Sequence, residues 1–132
     1  MSYALQYGSA LVIFVIVDLI WLGIVARDYY HRELSGLMAE KFNIGAAAAF
    51  YLMYPVGIVV FAVAPALASG AWQQSALAGA GIGLFAYATY DLTNLATLRQ
   101  WPLRLSILDM AWGTVLTATA ATGAFLITRA LG

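Results

Sequence analysis

At 132 residues the chain is long enough for one domain, yet 64% of it is hydrophobic and only 9% is charged, against about 25% charged in an ordinary soluble domain. Mean hydropathy is +0.87, so the polar shell of a water-soluble fold cannot be built and the bilayer must serve as solvent. Net charge is zero, with no basic run and no acidic tail, which argues against nucleic acid as a partner; the lack of cysteine excludes disulfides, thiolate metal sites and cysteine nucleophiles.

A bilayer core about 30 Å thick takes roughly 20 mostly apolar residues per helix. The first stretch of that kind covers residues 5–26. No basic residue precedes it, it is longer than a signal-peptide core and no small-residue cleavage site follows, so it is expected to be a retained helix. It carries Asp18-x-x-Trp21. The following loop holds Arg27, Arg32 and Lys41. Within it Leu34, Leu37, Met38 and Phe42 recur at helical spacing among Arg32, Glu33, Glu40 and Lys41, which predicts a short helix lying on the cytoplasmic membrane surface. His31 in this loop reads as a solvated side chain.

The second span covers residues 44–64, with Pro55 expected to kink it, and residues 65–74 form a loop without basic residues. The third covers residues 75–95 and contains Gly79-x-x-x-Gly83, then Tyr87, Asp91 and Asn94 at helical spacing along one stripe. Arg99, Pro102 and Arg104 follow, and Pro102 suits the start of the fourth span, residues 105–128. That span bears Asp109-x-x-Trp112 and Gly113-x-x-x-Thr117-x-x-x-Ala121. The small residues suit close helix contacts, within one chain in preference to between copies.

Five basic residues lie in the first and third loops, against Arg129 alone near either terminus or in the second loop. By the positive-inside rule, the expected fold is an all-α, integral membrane four-helix bundle with both termini outside the cytoplasm. Tyr3, Tyr7 and Trp72 then fall at the outer interface, and Tyr29, Tyr30 and Trp101 at the inner one.

Each aspartate within a membrane helix costs about 2.5–3.5 kcal/mol at the bilayer centre. Asp18 precedes Arg27 by nine residues, Asp91 precedes Arg99 by eight and Asp109 follows Arg104 by five, so all three lie roughly 8–13 Å from the cytoplasmic interface. A shared pocket in the cytoplasmic half is expected, with Asp18, Trp21, Tyr87, Asp91, Asn94, Asp109 and Trp112 as ligand-binding residues. Shared protons or a bound cation can meet the carboxyl groups. An oxygen-rich metal site would favour Mg²⁺, Ca²⁺ or Mn²⁺, but no ligand-spacing motif supports one and no metal is assigned.

The stretch Ala-Thr-Tyr-Asp-Leu-Thr-Asn-Leu-Ala-Thr-Leu-Arg-Gln-Trp-Pro from Ala88 to Pro102, with Asp-Met-Ala-Trp-Gly from Asp109 and Asp-Leu-Ile-Trp-Leu-Gly from Asp18, resembles the bacterial membrane proteins grouped as domain of unknown function 2177. The resemblance covers the whole chain and implies a compact bacterial inner-membrane protein of four helices, without implying a reaction. The leading expectation is therefore binding of a small molecule, lipid headgroup or cation, with membrane lipids as partners. An accessory subunit of a larger membrane complex and a homo-oligomer remain open. So does a small lipid-modifying enzyme or transporter. An enzyme would draw its acid and base from Asp18, Asp91 and Asp109. No cofactor is implied.

Overall fold

The computed structural model describes residues 2–39 and 41–132, so Glu40 lies outside it; no strand occurs among the described residues. Helix α1 (Tyr3–Ile20) opens on Ser2, whose hydroxyl accepts from the Leu5 amide at 3.2 Å, meeting one of the orphan donors of a helix start. It runs directly into a π-helical turn, Trp21–Val25. Ala26 then leads into α2 (Arg27–Glu33), seven residues long.

The short helix between the first two spans thus exists, but it forms earlier in the chain than the apolar spacing predicts. Residues 34–37 make turns, and neither Met38 nor Phe42 is helical. Asp28 in the first turn of α2 and His31 and Arg32 in its last turn complement the helix dipole. Ser35 and Gly36 are weak helix formers that end it.

Helix α3 (Ile44–Ile58) is capped by Asn43, which accepts from the Ala46 amide at 3.0 Å. Pro55 sits inside it and cannot donate to the Tyr51 carbonyl. A second π turn, Val59–Val63, follows, and the chain continues as α4 (Ala64–Ser69). The expected end near residue 64 is corrected here: Pro65 falls in the first turn of a new helical segment, where a missing N–H costs nothing. Gly70, at φ 82°, closes α4 in the left-handed conformation that a side chain would strain. Only Gly70 and Ala71 separate it from α5 (Trp72–Thr97), and α6 (Leu103–Leu131) begins after Pro102.

Three segments are long and apolar enough to cross a membrane: Tyr3–Val25, Ile44–Ser69 and Leu103–Leu131. Helix α5 has the length, 26 residues or about 39 Å, but its glycines, Gln73, Gln74, Asp91 and Asn94 dilute its apolar character. Burial is arranged for an apolar surrounding. Leu77, Phe85 and Phe61 point outward, while Ala62, Ala120, Ala121 and Ala124 are fully buried at the centre. Phe14, Ile58, Leu116 and Phe125 fill the core beside these alanines, and the small residues among them let the helices pack closely.

Helices α5 and α6 form the most extensive pair, followed by α1 with α6. Their small residues meet each other. A Cβ on Gly79 would lie 2.8 Å from the Ala121 Cβ and 2.9 Å from the Thr117 carbonyl, and one on Gly83 would strike the Gly113 carbonyl. Both small-residue stripes are therefore consumed within the chain, and the backbones touch along them. The Thr117 hydroxyl bonds the Tyr54 hydroxyl at 2.8 Å, tying α3 to the same seam.

Candidate functional site

Asp18 lies on α1 one turn before the π segment and is buried. Its Oδ2 accepts from the Tyr51 hydroxyl of α3 at 2.5 Å and its Oδ1 from the Trp112 indole N–H of α6 at 3.0 Å. One carboxyl group thus binds three helices. Hydrogen bonds in a low-dielectric interior are stronger than the same bonds in water.

The two Asp-x-x-Trp motifs do not serve their own helices; they cross over. The Trp112 indole donates to Asp18, not to Asp109. Trp21 donates at 3.3 Å to the Tyr30 hydroxyl, which in turn donates at 2.7 Å to Asp109 Oδ1. The indoles of Trp21 and Trp112 stack with centroids 4.3 Å apart and planes inclined by 9°. Burial first, and then the Asp109 carboxyl beside it, push the Tyr30 phenol above its ordinary value of 10.0. Tyr30 therefore keeps its proton and remains a donor at neutral pH.

Asp91 is different. It is fully buried on α5, and neither of its carboxyl oxygens has a hydrogen-bond partner among the described residues. The Asp109 carboxyl of α6 lines the same cavity. A fully buried carboxyl group without a donor is costly, and a ligand that brings donors would relieve it.

All three aspartates line a cavity of about 480 Å³, a size typical of small-molecule sites. Tyr30 and Tyr51 border it beside their aspartates, and Tyr87, Tyr90 and Trp101 add aromatic wall. Leu22, Phe50 and Tyr90 belong both to the lining and to the outer surface of the helices. Among the described residues, no Lys, Arg or His lines it. Arg104, five residues before Asp109, pairs with Glu33 at 2.6 Å.

Of the residues expected in a common pocket, Asp18, Tyr87, Asp91 and Asp109 line the cavity. Trp21 and Trp112 stand behind it as the groups that hold Tyr30 and Asp18. Asn94 is half-buried one turn beyond Asp91 and does not line it. Among the described residues, no group of three His, Asp or Glu comes close enough to hold a metal ion. Asp18 is already engaged by Tyr51 and Trp112. Sequence reasoning missed Tyr51 and reduced Tyr30 to an interface aromatic, because a phenol carries no insertion cost large enough to single it out.

No curated protein and no solved structure matches the chain. One family model does, described as predicted membrane protein (DUF2177), and it spans residues 3–126, from the first turn of α1 into the last turns of α6. Helices of this length, with apolar groups turned outward and carboxyl groups turned inward, are the anatomy such a description requires. The chain belongs to this family of predicted membrane proteins, domain of unknown function 2177.

Proposed function

We propose that the protein is a four-span bundle of a bacterial inner membrane whose cavity binds a small amphiphilic molecule or lipid headgroup, received by Asp91 and Asp109. The observation that carries this reading is that α1, α5 and α6 each turn an aspartate into the same cavity. Interhelical bonds average only about 0.6 kcal/mol in membrane interiors and neutral side chains can make them. Three carboxyl groups are a poor choice for that purpose alone. Asp18 has a structural use; Asp91, unpartnered and fully buried, has none in the fold.

The test uses Ala86, a small wall residue. Ala86→Trp should fill the cavity. Wild-type protein extracted in mild detergent should retain a small molecule in native mass spectra, and A86W of unchanged helicity should lose it. Equal retention by both would overturn the reading.

The proposed topology places Arg27, Arg32, Lys41, Arg99 and Arg104 on the cytoplasmic side and both termini outside. The 26 residues of α5 and its close seam with α6 support counting it as the fourth span. The chain contains no cysteine, so single introduced thiols report cleanly. Ala71→Cys should react with an impermeant maleimide from the periplasmic face. Ser35→Cys should react only after the inner membrane is opened. The reverse pattern would invert the topology.

A further inference from the structure

We infer that the cavity selects a ligand whose polar end is a primary ammonium group on an apolar chain held in the bilayer. The inference rests on the binding role proposed above and names the ligand class. It follows from which hydrogen-bonding groups the cavity leaves free. The Tyr30 and Tyr51 hydroxyls give their protons to Asp109 and Asp18, and the Trp101 indole gives its own to Ser106 at 2.9 Å. What remains is rich in acceptors: both oxygens of Asp91, Oδ2 of Asp109, and the Tyr87 and Tyr90 hydroxyls, which can turn either way.

A group that answers carboxyl groups lining one cavity must bring donors and positive charge. An ammonium brings three donors and one charge in a compact head. An anionic or phosphate end would meet carboxylates with no basic side chain in the lining. Tyr87, Tyr90 and Trp101 supply aromatic surface of the kind that attracts cations. The source is the membrane, because Leu22, Phe50 and Tyr90 are at once lining and outer surface. A chain can therefore leave the cavity sideways without crossing the headgroup layer.

The experiment compares dodecylamine, dodecanol and dodecyl phosphate added to the intact protein in uncharged maltoside micelles, with n-butylamine as the soluble arm. Binding is read from the rise in unfolding temperature and from retention in native mass spectra. Dodecylamine is expected to bind at least about tenfold more tightly than dodecanol, a difference of about 1.4 kcal/mol, and dodecyl phosphate not at all. Asp91→Asn should remove the preference for the amine. Dodecanol binding as tightly as dodecylamine to the wild type would overturn the ammonium inference and leave the cavity reading standing. Retention of none of the three amphiphiles would overturn both. n-Butylamine binding as well as dodecylamine would overturn the membrane source. The comparison of ligands on the wild type holds whether or not the Asp91→Asn variant folds.

Discussion

Gly83→Ala should destabilise the folded chain by about 2 kcal/mol, whereas Gly81→Ala, two residues earlier on the same helix, should leave it unchanged or stabilise it by up to about 1 kcal/mol. The two glycines share a helix and a composition and differ only in what faces them. A methyl group on Gly83 would strike the Gly113 carbonyl and lie 2.8 Å from the Thr117 hydroxyl; one on Gly81 would meet nothing within 4 Å. A backbone carbonyl cannot rotate aside, so α5 and α6 must separate along the seam that carries most of their contact. Overpacking of this kind costs about 3 kcal/mol at the upper end, and the helix preference of alanine over glycine returns about 1. The Thr117–Tyr54 bond lies in the path of the displacement. Unfolding followed by helical circular dichroism in detergent measures both variants. Equal stability would mean that the seam is looser than the backbone contact implies.

The second large effect separates two aspartates that look alike in the sequence. Asp18→Ala strips the Tyr51 hydroxyl and the Trp112 indole of their acceptor. Two donors left unpaired cost about 1–3 kcal/mol each, so a loss of about 2–6 kcal/mol is expected. The stacking of Trp112 on Trp21 should loosen with it, visible in the near-ultraviolet circular dichroism. Asp91→Asn should do the opposite. Asp91 accepts nothing, and an amide there can donate to Asp109, adding about 1 kcal/mol to stability. Ligand retention should fall as stability rises, as expected where a binding group is kept at the expense of the fold. If D91N proves less stable than D18A, the division between a structural and a receiving aspartate is wrong.

Residues far apart in the chain were legible to different degrees. The apolar length of the first, second and fourth spans could be read directly, and so could the small-residue stripes now facing each other as Gly79 with Ala121 and Gly83 with Gly113. The insertion cost of Asp18, Asp91 and Asp109 singled out three residues that line one cavity. Pro65 misled, because a proline after an apolar run looks like an end until the preceding π turn re-phases the helix around it. The Leu34–Phe42 spacing misled as well, because apolar periodicity over a Ser-Gly pair is a weaker signal than the complementary charges at the two ends of Arg27–Glu33.

Sequence alone determined the solvent, the helical class and the residues too costly to be incidental. Each of those depends on how a side chain partitions between water and hydrocarbon, a property that each residue carries by itself. Tertiary structure alone decided who serves whom: Trp112 and Tyr51 hold Asp18, Tyr30 holds Asp109, and Asp91 is left without a donor. Those pairings depend on how each helix is rotated about its axis. One residue turns a helix by about 100°, so a single π turn at Trp21–Val25 is enough to re-aim everything beyond it.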